Sequence, residues 1–220
     1  MHEYEVINLN KRNRKTQFEW FNSFINPTYG MDVELDVTKL VKFSKETKTS
    51  FFINFLYILT YSLNSIEEFR LRYVNNEVRL YKEIMPTYTV KCIDGTFNNV
   101  RHEYTSDYKL FYKRAHKSVE EAKVNTNHSG SYNDGTYYDD FYFSCLPTLN
   151  FTSMTHPIPY NDKSSMSVTR ALWGKYHLVS DKYLMTLNLT VSHALVDGFP
   201  LAEGFNKVSE MLDNLEKYLK

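Results

Sequence analysis

Between Tyr183 and Val191 the chain alternates without interruption: Tyr183, Met185, Leu187, Leu189 and Val191 share one face, and Thr186, Asn188 and Thr190 the other. A period of two predicts a strand with one buried face, here over residues 182–193. Carried one step further, the same register puts His193 on the apolar face. Weaker alternation predicts strands over 4–9 and 29–37. Phe18 and Phe21 recur at helical spacing and predict a helix over 15–24 that stops before Pro27. Asp36 and Thr38 can cap a helix to about residue 48, and Ser50 or Thr49 can cap an apolar helix over 51–63.

Residues 70–74 and 78–81 read as a hairpin, because Asn75-Asn76 between them tolerates the positive φ of a tight turn. Two more strands, 88–93 and 96–101, flank Asp94-Gly95. Ser106 can start a helix through 124, and residues 125–137, rich in Asn, Ser, Gly and Thr, read as a loop. Strands are predicted over 140–145 and 165–176. A last helix carries Leu201, Phe205, Val208, Leu212, Leu215 and Leu219 on one stripe. No internal repeat interrupts this order. The mixture predicts one α/β domain over residues 1–220, a two-layer sandwich of a mixed β-sheet with helices.

Composition narrows the function classes. At 220 residues the chain can bury a full core. Its 26 Lys and Arg balance 26 Asp and Glu, so no global field favours nucleic acid or an anionic membrane. The apolar run 51–63 is too short to span a bilayer and carries Asn54, Thr60 and Ser62, so it reads as a core helix rather than a membrane segment. The acidic start, Met1-His2-Glu3-Tyr4-Glu5, has no apolar leader core, and a cytoplasmic protein is expected. Cys92 and Cys145 make no disulfide framework. The 7 histidines include no pair at metal-ligand spacing, so no metal is expected. Neither a G-x-G-x-x-G nor a Walker-type loop occurs.

The chemistry concentrates at Ser192-His193-Ala194-Leu195-Val196-Asp197-Gly198-Phe199. A histidine at a strand end with an aspartate in the next turn is a candidate general base with an orienting carboxylate. The alternative is a core histidine hydrogen-bonded to a neighbour. Gly198 reads as the residue that turns the chain into the last helix. Cys145, beside Ser144, is a candidate nucleophile, although most buried cysteines are inert small hydrophobes.

The segment around His193 resembles the H-H-x-x-x-D-G signature of the chloramphenicol acetyltransferases. Other blocks resemble that family in order. Ile7-Asn8-Leu9 with Arg14-Lys15 and Phe18 is similar to its opening, and Glu67-Glu68-Phe69-Arg70-Leu71-Arg72-Tyr73 to its E-E-F-R-x-R stretch. Tyr88-Thr89-Val90 resembles the strand that follows, Phe143-Ser144-Cys145-Leu146-Pro147 the S-x-x-P-W segment, and Gly174-Lys175-Tyr176 the G-K-Y block. The similarity runs from about residue 5 to about residue 215.

The resemblance implies a CoA-dependent acyltransferase fold and an O-acetyltransferase that uses acetyl-CoA as donor substrate. It implies His193 as the base that deprotonates the acceptor hydroxyl and Ser144 as the hydrogen-bond donor to the tetrahedral intermediate. Asp197 and Arg14 would form a buried supporting ion pair, and Tyr176 would contact coenzyme A. Tyr29, Phe97 and Leu172 match acceptor-pocket positions, although Tyr29, Phe97 and Tyr176 can equally be ordinary core or strand aromatics. The implied assembly is a homotrimer with active sites at subunit interfaces. Chloramphenicol is the implied acceptor, with a different small hydroxyl compound or an idle ligand-binding relative as alternatives. Four departures bear on the acceptor side: Ser192 replaces the first histidine, Thr148 a tryptophan and Leu172 a threonine, and Arg170 stands in a normally apolar strand.

Overall fold

The computed structural model describes residues 3–126 and 138–220. Along the chain, β1 (Tyr4–Val6) leads to α1 (Lys15–Asn22), β2 (Thr28–Asp36), α2 (Thr38–Thr47) and α3 (Phe51–Asn64). The hairpin β3 (Leu71–Val74) and β4 (Glu77–Tyr81) precedes β5 (Met85–Lys91), β6 (Phe97–Arg101) and α4 (Tyr108–Val124). Then come β7 (Asp140–Cys145), α5 (Lys163–Met166), β8 (Arg170–Trp173), β9 (His177–Val179), β10 (Lys182–Ser192), α6 (Gly198–Asp213) and α7 (Leu215–Tyr218).

Local chemistry sets these boundaries. Asn75 and Asn76 both adopt positive φ, 52° and 64°, closing the β3–β4 hairpin. The Ser50 hydroxyl accepts from the Ile53 N–H at 3.4 Å at the start of α3. Asp107, one residue past the Ser106 expected to start the helix, caps α4 by accepting from Leu110 N–H at 2.9 Å. At α2 the expected caps do other work: Asp36 accepts from the Thr38 N–H, and the Thr38 hydroxyl accepts from the Tyr183 N–H. The strand expected over 165–176 is mostly replaced. Asp162 accepts from Ser165 N–H and starts the short helix α5, leaving only four strand residues in β8. The first strand likewise stops at Val6, because the Asn8 side chain caps a 3-10 turn. All but the first two residues of the expected loop 125–137 lie outside the described residues.

The main sheet has seven strands in the order β2-β10-β8-β7-β5-β6, with β9 on β10. Neighbours β8, β7 and β5 run parallel, and the remaining pairings are antiparallel. Its apolar face, including Leu187, Leu189, Val191, Phe141, Phe143 and Trp173, joins the core cluster with α3 and α6. Helix α3 is buried at ten of its fourteen positions, which is why its sequence is apolar nearly all round. The other sheet face is polar. One row across it reads Asp32, Asn188, Leu172, Ser144 in cross-strand register.

A second, three-stranded sheet, β1-β4-β3, is tied to the first by Arg72. This fully buried guanidinium donates to the carbonyls of Phe69, Leu71, Tyr138 and Asp140 at 2.8–2.9 Å. Burial lowers its pKa to about 10, still charged at neutral pH. The second arginine of the E-E-F-R-x-R block is therefore architectural.

His102 predicts an acid sensitivity. It is buried against Tyr88 and Phe111, its Nδ1 lies 3.2 Å from the Tyr88 hydroxyl, and its Nε2 has no hydrogen-bond partner among the described residues. Burial, reinforced by the Arg114 and Arg101 charges, pushes its pKa from 6.5 down to about 4. Below 6.5 the unfolded chain takes a proton that the folded chain refuses, so stability present above pH 6.5 is lost as pH falls toward 4. The difference amounts to roughly 3 kcal/mol. His156, also held near 4 mainly by burial, acts in the same window. Urea unfolding at pH 7, 5.5 and 4.5 should show a shallower decline for His102→Gln than for the wild type. An unchanged slope would remove His102 from the account.

Candidate active site

His193 follows the last residue of β10, where its N–H donates to the Pro27 carbonyl at 2.9 Å and holds the strand register one step longer. The imidazole therefore emerges on the apolar side, at the edge of the sheet beside β2. It is stacked between Phe21, centroids 3.8 Å apart, and Tyr29, at 4.4 Å. Tyr29 is fixed in turn by donating its hydroxyl to the Val196 carbonyl at 3.2 Å, and burial raises its pKa to about 12. The His193 side chain is 31% exposed, so this is no sealed core histidine. Phe21 was legible only as helical spacing pointing to the core. Beside it in α1, Trp20 is 60% exposed.

Asp197 is hydrogen-bonded to Arg14 rather than to the imidazole beside it. Its Oδ1 lies 2.7 Å from an Arg14 nitrogen and 3.4 Å from His193 Nδ1, which makes no hydrogen bond among the described residues. Arg14 also donates to the Leu195 carbonyl at 2.7 Å and the His193 carbonyl at 3.4 Å, so one guanidinium clamps the whole turn. The pair is not buried as expected: the side chains are 29% and 36% exposed. Solvent screening reduces the cost of breaking it from the buried-pair range to roughly 1–3 kcal/mol, charged hydrogen bonds included. Arg14→Ala and Asp197→Asn should each lower the melting temperature, with less than additive loss in the double variant. Additive losses in that cycle would show independent roles. Gly198 has ordinary backbone geometry, and a Cβ there would meet open space, so the expected need for glycine is absent within this chain.

Ser144 belongs to β7 and lies on the polar face. The parallel ladder between β5 and β7 ends at the pair Tyr88–Phe143, and beyond it the strands part. In the fork, the Ser144 and Thr89 hydroxyl oxygens are 3.1 Å apart. A cavity of about 620 Å³ opens there, bounded by Thr89 and Lys91 on one strand, Cys145 and Pro147 on the other, and Phe51, Phe52 and Tyr176 from the helix side. Lys91, Lys123 and Lys175 add positive charge to its lining. Gly174 allows Lys175 and Tyr176 to reach it: a Cβ there would sit 2.9 Å from the Leu149 carbonyl, which accepts from the Lys175 N–H. Burial pushes the Cys145 thiol up to about 12, so the thiolate needed for nucleophilic attack is scarce at neutral pH.

The acceptor-side residues separate. Leu172 is buried and pairs in register with Ser144, on the same face. Phe97 pairs with Lys91 on β6, at the sheet edge opposite β2 and Tyr29. Five strand spacings alone separate Tyr29 from Phe97 by roughly 24 Å across the sheet, and the register puts His193 and Ser144 roughly 15–20 Å apart on opposite faces. One chain thus holds these residues in two separate groups: His193, Tyr29 and Phe21 in one, and Ser144, Leu172 and Phe97 in the other. Arg170 joins neither, because its guanidinium donates to the Ser165 and Val168 carbonyls and the Ser165 hydroxyl, fastening α5 to the sheet. Thr148 is exposed. Among the described residues, no cluster of His, Cys, Asp and Glu could hold a metal, and no helix is long and apolar enough to cross a membrane.

The fold that positions these residues recurs in solved structures. A solved chloramphenicol acetyltransferase superposes with a TM-score of 0.87 at 26% identity, covering 96% of this chain and 100% of that one. The dihydrolipoamide acetyltransferase of Azotobacter vinelandii shares the fold at a TM-score of 0.66 and 16% identity, covering 94% of this chain and 89% of its own. The class is that of the acyltransferases. A family model described as chloramphenicol acetyltransferase matches residues 2–209, and the chain belongs to that family. A chloramphenicol acetyltransferase of Escherichia coli is 29% identical over 211 residues, 96% of this chain and 94% of the relative. One from Clostridium perfringens is 27% identical over 223 residues, 99% and 98% of the two chains.

Proposed function

We propose that this enzyme transfers the acetyl group of acetyl-CoA to a hydroxyl of chloramphenicol or a closely sized hydroxyl compound, in sites completed between copies of a homotrimer. The observation that carries the reading is the cavity at the fork between β5 and β7, with lysines in its lining and Thr89, one of its lining residues, 3.1 Å from the Ser144 hydroxyl. Cationic and aromatic walls suit a phosphate-bearing donor with a slender thiol arm. Such a donor would enter from the helix side and present its thioester at Ser144. The acceptor would approach from the opposite, polar face.

His193 of a second copy then takes the acceptor's hydroxyl proton as the oxygen attacks the thioester carbonyl. Ser144 donates a hydrogen bond to the oxyanion. When the tetrahedral species collapses, the carbon–sulfur bond breaks, the imidazolium returns its proton to the thiolate, and ester and free coenzyme A leave. No acyl-enzyme is required, in keeping with the raised Cys145 thiol. The wide separation of His193 and Ser144 within one chain supports the shared-site arrangement.

Leu172 favours a second reading of the acceptor. It stands beside Ser144 in register but offers no hydroxyl to the intermediate. A neutral hydrogen bond contributes about 0.5–1.5 kcal/mol, so chloramphenicol should be acetylated weakly and Leu172→Thr should improve the rate about tenfold or less. The test is thiol release from acetyl-CoA with chloramphenicol and a panel of small alcohols, with sedimentation of the same preparation. Acetyl-CoA binding without product from chloramphenicol in either form assigns another hydroxyl compound as acceptor. Failure to bind acetyl-CoA overturns the whole reading.

A further inference from the structure

We infer that Thr89 is a positioning residue for the reaction, acting through Ser144; the inference rests on the oxyanion role proposed above for that serine. Ser144 can serve an oxyanion only if its single proton points into the site, and a serine hydroxyl rotates freely unless a neighbour fixes it. Within hydrogen-bond distance its oxygen has the Thr89 hydroxyl, 3.1 Å away. With Thr89 donating, the Ser144 oxygen is occupied as an acceptor and its proton is released toward the reacting carbonyl.

The fold holds Thr89 for this task. It follows directly on the last Tyr88–Phe143 pair of the parallel ladder, so the two hydroxyls meet where the strands fork and the backbone ladder ends. On its other side, Thr89 remains paired with Asn99 of β6, which anchors its backbone. As a β-branched residue it is stiff at χ1, so its oxygen is held in place. It also lines the cavity, close to where the thioester would lie. A donor aimed at Ser144 further strengthens the hydrogen bond that Ser144 gives, because chained hydroxyls polarise one another.

Thr89→Val keeps the shape and removes the hydroxyl. In thiol-release kinetics it should lower kcat about tenfold or less, with KM for both substrates and the acetyl-CoA dissociation constant unchanged. Thr89→Ser should restore most of the rate. In a Ser144→Ala background, Thr89→Val should cost nothing more, because the residue through which it acts is gone. A Thr89→Val enzyme with wild-type kcat, or an equal loss in both backgrounds, overturns the inference. Full activity of Ser144→Ala would instead remove the oxyanion role itself, and the inference with it.

Discussion

His193→Ala should abolish detectable acetyl transfer while the protein stays folded and binds acetyl-CoA. A general base contributes about 10²–10⁴-fold, and no other described side chain stands where it could substitute. Asp197 is engaged by Arg14, and Tyr29, held up to about 12, is a poor base at neutral pH. The imidazole sits at a sheet edge, 31% exposed, so its loss removes stacking on Phe21 and Tyr29 but opens no deep cavity. The melting temperature should therefore move little. Because His193 and Ser144 lie on opposite faces of one chain, mixing His193→Ala with Ser144→Ala subunits should recover activity. In each mixed trimer one of three interfaces keeps both groups, so the recovery approaches about a quarter of wild type. A His193→Ala enzyme near wild-type kcat would end the assignment, and a mixture that stays inactive would end the shared site.

Ser144→Ala should lower kcat by about 10²–10³-fold with little change in KM, the behaviour expected of a hydrogen bond made mainly in the transition state. Its neighbour provides the control. Cys145→Ala should leave kcat close to wild type, since burial keeps that thiol protonated and its side chain points to the opposite face of β7. Were the cysteine variant the inactive one, with an acetylated thiol trapped on the wild type, a covalent route would replace direct transfer.

The contrast between Arg14 and Arg170 shows how far a sequence can be read. Arg14 was legible through its block, and the structure sets it against Asp197; the degree of burial was not legible, because exposure depends on what packs over the turn. Arg170 looked like a change to the acceptor wall, and instead fastens α5 to the sheet. Period-two patterning could not foresee this, since residues 165–169 leave the expected strand when the Asp162 side chain captures the Ser165 N–H. Phe21 shows the converse. Its spacing marked it as apolar, but spacing cannot distinguish a core aromatic from one stacked on the His193 imidazole.

By itself the sequence determined the elements with strong periodicity, β10, α3 and α6, and the residue types the chemistry requires, because patterning and motifs are local properties of the chain. Only the tertiary structure decided that β5 and β7 part beyond Tyr88 and Phe143, that the fork opens on a cavity, and that Thr89 meets Ser144 there. It also decided that His193 and Ser144 lie on opposite faces. Those facts depend on strand order and register, which are set by contacts between residues far apart in the chain and leave no periodic trace along it.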